Sequence, residues 1–288
     1  MKIGKVIKTI RTSKKIKTSN TYSNILSRPA ISKFEKGLSD TTSTKLFQIL
    51  NNLNVSLDEF YLIYNNYNLD DEHTFLSKYS QYFYQNDIEN LKKLKISLKE
   101  KYKVNNQIKL FHYSVLTDLT ISYILNEKPN SKSLDILQSY LLNCEDWTYY
   151  EIVLFTNSLD LFSEEQILLL YKRTKSKLEH FKMLRKYNNE IFSLLSNILV
   201  IFIKKNNINK SCFFYEELKN NMSETINTMY EKTMMIFFKE LVTIMSSKNY
   251  NNKNIEKIIS LFVYLDMPLK EFQCTSLFEV VKSNNQIT

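Results

Sequence analysis

Residues 27–37 read SRPAISKFEKG, and this stretch decides the fold of the amino-terminal part of the chain. Ser27 can cap a helix, Pro29 sits in the first turn where its missing N–H costs little, and Gly37 supplies a left-handed stop. Ile31 and Phe34 share one face, and Arg28, Ser32 and Lys33 lie opposite. The stretch predicts a three-turn helix with both of its ends written into the sequence.

Working outward, Ile3, Val6, Ile7 and Ile10 fall at helical spacing and predict an amphipathic first helix with Lys5, Lys8 and Arg11 on its other face. A short second helix is expected to start near Ser19 or Asn20, either of which can cap it, and to bury Tyr22, Ile25 and Leu26. Beyond Gly37, one helix is expected from about Ser43 to Leu53, with Leu46, Ile49, Leu50 and Leu53 inward. Another follows from about Ser56, with Leu57, Phe60 and Ile63 inward. Residues 1–66 therefore read as a compact five-helix unit.

Charge sets this unit apart. It holds eleven Lys or Arg against four acidic residues, a net of +7, whereas residues 67–288 carry 28 basic and 26 acidic residues. A basic head on a nearly neutral body is the electrostatic footprint of a polyanion-binding segment.

The whole length has two glycines, Gly4 and Gly37, and three prolines. Sheet proteins need many tight turns, which draw on both residue types, so an all-β or α/β chain is excluded and an all-α chain is expected. Cys144, Cys212 and Cys274 are far apart with no metal-ligand spacing, which points to free thiols in a reducing cytosol and no metal site. The most apolar run, Ile191 to Ile203, is about thirteen residues and too short for a membrane span. With no signal-peptide core at the amino terminus, the expected location is cytoplasmic, away from membranes.

From about Leu69 onward, helix follows helix, with polar joints such as NEKPNSKS and KKNNINKS. A shift of forty residues brings Leu154 onto Leu194, Asn157 onto Asn197, Leu159 onto Leu199, Leu161 onto Ile201 and Phe162 onto Phe202. That period is in the range of stacked helical hairpins such as tetratricopeptide arrays, whose concave face is a groove suited to a peptide. Trp147, Tyr149 and Tyr150 read more simply as core than as site, with the single Trp as a packing anchor. The last helices, with Ile255, Ile258, Ile259, Phe262, Val263 and Leu265, are apolar enough to pack on a second subunit.

The segments GKVIKTIR, SRPAISKFEKG and LFQILNNLNVSLDEF resemble the helix-turn-helix of repressor-like regulators, and FEKG and NVSLDEF look most like the Rgg/MutR branch. The resemblance is dense over the first domain and thins afterwards. It implies that the third helix enters the major groove of double-stranded DNA, with Arg28, Ser32 and Lys33 reaching bases or phosphates. A guanidinium can donate two bonds to guanine, which singles out Arg28 for base reading, while Lys14, Lys15, Lys17 and Lys36 suit phosphates. Arg11 and Glu35 match positions that pair in repressor-like domains, and with Gly37 they are read as structural. Some Rgg relatives carry a cysteine just past the FE-x-G turn that can link two heads; Ser43 stands there in this chain, which excludes that covalent link.

The segment DWTYYEIVLFTNSLDLF resembles the matching region of Rgg-type regulators, where asparagines along concave helices of the wider group hold the backbone of a short signalling peptide. That role carries over to Asn157 and, by repeat position, Asn197, since a side-chain amide both donates and accepts. Tyr150 and Phe155 would accept apolar peptide residues. The implied protein is a homodimeric, peptide-responsive transcription regulator without cofactors. Its domains would be 1–66, which binds DNA, and 67–288, a tetratricopeptide-like repeat that senses peptide and dimerises. Two alternatives stay open: a helical-repeat adaptor for other proteins, and a dimeric DNA-binding regulator with no peptide ligand. An enzyme is disfavoured, because His73, His112 and His180 are isolated and no nucleophile elbow, phosphate loop or zinc-protease motif is present.

Overall fold

A computed structural model describes residues 2–68, 71–181, 184–222, 228–247 and 252–285. Among them every regular element is a helix, and the chain divides into two compact units, 1–80 and 81–288. The start of the second helical series, placed near Leu69 from the sequence, lies outside the described residues.

The first unit comprises α1 (Ile3–Ser13), α2 (Thr18–Tyr22), α3 (Arg28–Glu35), α4 (Ser43–Leu53) and α5 (Leu57–Tyr64). The helix α6 (Asp71–Tyr84) runs through the point of division. Val6, Ile7, Ile10, Tyr22, Phe34, Ile49, Leu50, Leu53, Val55 and Phe60 form its core, with Ile3, Ile25, Leu26, Ile31, Leu46 and Ile63 packed against them. This is the inward set read from helical spacing, with one correction. Leu57 opens α5 and is 51 % exposed, because the first residue of that helix lies outside the contact with the core.

Helix ends obey local chemistry. Ser56 accepts from Glu59 N while Glu59 reaches back to Ser56 N at 2.7 Å, a reciprocal box that satisfies two orphan donors of α5. Thr42 caps α4 through Lys45 N. Ser27 occupies the N-cap of α3 with extended backbone but makes no side-chain cap bond, and Pro29 removes one of the donors it would satisfy. The second helix starts at Thr18 after Lys17, earlier than the Ser19 or Asn20 expected to cap it.

The two glycines have separate jobs. Gly37 has φ +72°, the left-handed stop of α3. Gly4 lets α1 and α3 cross closely, since a Cβ there would lie 1.9 Å from the Phe34 carbonyl oxygen.

The second unit continues with α7 (Ile88–Asn105), α8 (Ile108–Ile124), α9 (Ser131–Asn143), α10 (Tyr149–Thr156), a 3-10 turn at Leu159–Leu161, and α11 (Glu164–Phe181). Then come α12 (Arg185–Lys204), α13 (Ile208–Asn220), α14 (Met229–Ser246), α15 (Lys253–Tyr264) and α16 (Pro268–Asn284). Successive helices pack as neighbours, α7 on α8, α8 on α9, α12 on α13 and onward to α15 on α16, as short joints between helices require. α12 is the hub, touching α10, α11, α13, α14 and α16. Its most apolar stretch is accordingly buried at Leu194, Leu195, Ile198, Leu199, Phe202 and Ile203.

The forty-residue correspondence survives as a burial pattern. Leu154 and Leu194 are buried, Asn157 and Asn197 exposed, Leu159 and Leu199 buried, Phe162 and Phe202 buried. The local structures differ: α10 stops at Thr156 and gives way to a 3-10 turn, while α12 runs unbroken through the matching positions. Among the carboxy-terminal apolar residues, Ile255, Ile258 and Phe262 are spent on the chain's own core. Val263 and Leu265, with Tyr264, remain on the surface.

Candidate functional site

Each unit carries one candidate site. In the first, Arg28, Ser32, Lys33 and Lys36 are all exposed, while Phe34 and Glu35 are buried and Ile31 half-buried. At about 100° per residue the exposed four span an arc of about 140°, enough to face a groove while the other side of α3 is held by α1.

What holds α3 at that angle is a polar lock. Arg11 Nε donates to Glu35 Oε1 at 2.7 Å and a terminal guanidinium nitrogen donates to Oε2 at 3.0 Å, while another donates to the Ile16 carbonyl at 3.1 Å. Tyr22 Oη donates to the same Oε1 at 2.8 Å. Burial pushes the Glu35 carboxyl up, but the bonds from Arg11 and Tyr22 outweigh it and hold the group below the usual carboxylate range. Burial first, and then the bond to Glu35, push the Tyr22 phenol well above its ordinary value. One carboxylate thus ties α1, α2 and α3 together. Tyr22 was readable in the sequence only as a core aromatic, and nothing there signalled its hydroxyl.

The basic residues around α3 divide. Lys15, Lys17 and Lys36 are exposed, Lys15 at a left-handed turn with φ 55° and Lys17 at the N-cap of α2. Lys14 Nζ instead donates to the carbonyls of Leu53 and Asn54 at 2.9 and 3.0 Å, at the negative end of α4. Its ammonium is held by the fold, which competes with the phosphate contact expected of it.

In the second unit, Asn157 is the C-cap of α10 and Asn197 lies two turns from the end of α12. Both are exposed. Asn157 Nδ2 donates to Val153 O at 2.8 Å, and Asn197 Nδ2 reaches Thr156 O at 3.5 Å, so both amides converge on the last turn of α10. Each keeps a side-chain oxygen with no bond among the described residues. Glu190, seven residues before Asn197 on α12, lies beside the Thr156 hydroxyl, and burial raises its pKa above the usual carboxylate range.

The two aromatic residues expected to line the groove part company. Tyr150 is half-buried, shares a 2.6 Å hydrogen bond with His112 Nδ1 and stacks with that ring. Phe155 is a correction: at 0 % exposure it packs edge-on against Trp147 and Phe162, and it belongs to the core. The reason is that six consecutive residues of α10, Glu151 to Thr156, are buried, so an aromatic on this helix is taken up by the core whichever way it points. Glu151 survives there by accepting from Tyr140 Oη at 2.6 Å and from Thr148 N at 2.8 Å. Among the described residues no cluster of His, Cys, Asp and Glu could hold a metal ion, and no helix is long and apolar enough to cross a membrane.

Residues 88–273, well over half of the chain, match the family described as HTH-type transcriptional regulator Rgg, C-terminal domain. The chain belongs to the Rgg family of transcriptional regulators. Its fold is shared along its whole length with solved structures. A Listeria monocytogenes EGD-e protein is 20 % identical with a TM-score of 0.86, the match covering 100 % of this chain and 99 % of that one. The Streptococcus dysgalactiae SHP pheromone receptor Rgg2 is 22 % identical with a TM-score of 0.76, covering 98 % and 99 %. PrgX, in its complex with iCF10, is 18 % identical with a TM-score of 0.71, covering 100 % and 98 %. At these identities the likeness is one of fold: an amino-terminal repressor-like helix-turn-helix followed by a tetratricopeptide-like helical repeat.

Proposed function

We propose that this Rgg-family chain is a dimeric, sequence-specific DNA-binding regulator whose second unit binds a short signalling peptide. Residues 1–66 are assigned to DNA, with α3 in the major groove, Arg28 on a base edge, Ser32 and Lys33 beside it, and Lys15, Lys17 and Lys36 on phosphates. The observation that carries this reading is the exposed polar arc of α3, clamped from behind by the Arg11–Glu35–Tyr22 lock within the most basic part of the chain. Nothing in a bare helical scaffold requires a buried ion pair to fix one short helix, since such a pair adds orientation more than net stability.

The peptide reading rests on the exposed Asn157 and Asn197, whose amides meet at the end of α10 and whose side-chain oxygens are bonded by no described residue, and on Tyr150 of that helix. A related fold, PrgX, has been solved in complex with cCF10 and with iCF10, which supports a peptide as the ligand class. The exposed apolar residues Val263, Tyr264 and Leu265 at the end of α15 support self-association there. A DNA-reading protein of this kind works in the cytoplasm. The test is a footprint of the purified chain on the DNA upstream of its own gene: a protected, salt-sensitive segment supports the reading, and protection no better than on random duplex refutes it.

A further inference from the structure

The positive charge beyond residue 66 is gathered on one helix. Helix α7 carries six lysines, Lys92, Lys93, Lys95, Lys99, Lys101 and Lys103, against Glu89 and Glu100, which leaves 22 basic and 24 acidic residues for all the rest of 67–288. Two of the six are used by the chain itself: Lys93 pairs with Glu89 at 2.7 Å and Lys95 with Asp118 at 2.9 Å. Lys92, Lys99 and Lys103 are exposed, and among the described residues none of the three has a hydrogen bond or an ion pair. The charge of Lys99 is felt by Asp118, but the ion pair there belongs to Lys95.

At about 100° per residue these three lysines and Ile96 fall within an arc of about 60° and span about 16 Å of the helix axis. Ile96 is itself 54 % exposed, while Leu91 and Leu98, on another side of the helix that packs on α8, are buried. A helix face that only meets water is steadied by opposite charges one turn apart, as Lys219 is with Glu216 and Lys282 with Glu279. The α7 arc does the reverse. Lys95, Lys99 and Lys103 follow one another at i, i+4, where like charges repel and weaken the helix. The negative pole at the end of α7 favours Lys103, but Lys92 and Lys99 stand before the last turn. Glu100, at the flank of the arc, pairs with none of them among the described residues. A row of like charges that the fold does not use matches a polyanion, and each strand of duplex DNA offers one charge per about 3.4 Å of its axis.

We propose that the Lys92–Lys99–Lys103 face of α7 holds the phosphate backbone of duplex DNA, as a second contact besides that of α3. This rests on the DNA-binding reading above and extends it beyond the first unit. The three ammoniums act as point charges that tether and position the duplex without reading its bases.

The experiment uses the full chain and fluorescence anisotropy on a labelled duplex of about 60 base pairs centred on the footprinted segment, and on a random duplex of the same length, between about 50 and 200 mM salt. Three proteins are compared: the parent, Lys92→Gln/Lys99→Gln/Lys103→Gln, and a control that removes the same charge from exposed lysines elsewhere, Lys204→Gln/Lys232→Gln/Lys239→Gln, all with matching melting curves. Each phosphate contact adds about 0.9 to the slope of log affinity against log salt, so the α7 variant should lose about 2.7 from that slope on both duplexes. Across the range the parent's affinity should then fall roughly 40-fold more than the variant's. The preference for the footprinted over the random duplex should stay within about twofold of the parent's, and the control should keep the parent's slope to within about half a unit. An α7 variant that behaves like the control overturns the proposal and leaves the α3 contact standing. So does tighter binding of a labelled peptide of alternating Glu and Leu by the parent than by the α7 variant, with DNA slopes unchanged, because the face then belongs to an acidic protein. If the parent protects no DNA segment, the DNA reading falls and this inference falls with it.

Discussion

The side-chain amide of Asn197 reaches the backbone carbonyl of Thr156 at 3.5 Å, from one helix to the end of another, at the turn that Asn157 caps. A bond that long is weak, and both asparagines are exposed. Neither residue is therefore a structural necessity. Asn157→Ala and Asn197→Ala should each shift stability by no more than about 0.5 kcal/mol in urea unfolding, the range of ordinary surface substitutions. A loss of several kcal/mol would make them crosslinks of the scaffold.

The lock in the first unit predicts the opposite. Arg11→Ala leaves the Glu35 carboxylate buried without its counter-ion and should cost about 3–5 kcal/mol, while Tyr22→Phe removes one hydrogen bond and should cost about 1–3 kcal/mol. Denaturant midpoints of the two variants check the order. If Tyr22→Phe matches Arg11→Ala, the ion pair is not the dominant tie.

On DNA, Arg28→Ala should weaken specific binding by about 1–3 kcal/mol and relax the preference for one base, whereas Lys15→Ala should weaken all sequences alike and reduce the salt slope by about one. Lys14→Ala should differ from Lys15→Ala, because Lys14 holds the end of α4 and its loss shows first in stability. Anisotropy titrations over a salt series, beside melting curves, separate the two. Equal salt slopes for parent and Lys15→Ala would remove Lys15 from the phosphate contacts.

His112 gives a pH signature. Burial lowers its pKa to about 4, with the charge of Glu151 pulling the other way. The unfolded chain then takes up a proton at its ordinary value near 6.5 while the folded chain does not. The neutral ring's contribution is complete above that value, and is lost as pH falls from about 6.5 toward 4, by at most about 1.4 kcal/mol per pH unit. Urea unfolding at pH 7.5 and 5 should show a smaller loss in His112→Gln than in the parent. An identical loss would place the titrating group elsewhere.

Much of the fold was legible because the apolar residues keep helical spacing, and α3 was legible to the residue, since SRPAISKFEKG states a start and a stop. Scarcity of glycine excluded sheets correctly, yet it concealed where the helices end. The chain stops them with asparagine instead: Asn54, Asn86, Asn106, Asn126 and Asn206 all take left-handed angles near 50°, a conformation that residue tolerates through local hydrogen bonding. The site was harder to read. Periodicity cannot tell Phe155, wrapped by Trp147 and Phe162, from an aromatic facing a groove, because α10 is apolar on every side. Nor can it show that Lys14 caps a helix 39 residues away, or that Tyr22 and Arg11 share one carboxylate oxygen, since these depend on how helices distant in sequence meet.

The central claim is that a peptide at the Asn157–Asn197 rim alters what the α3 face does on DNA. Its most direct test is the occupancy of the footprinted DNA by the full chain, with and without short apolar peptides encoded beside its gene, for the parent and for the Asn157→Ala/Asn197→Ala double variant. A coupling of about 1–3 kcal/mol would change the parent's DNA affinity roughly 5- to 150-fold on adding peptide. The double variant should match the parent without peptide and lose the response to it. A double variant that responds to peptide as the parent does would contradict the account.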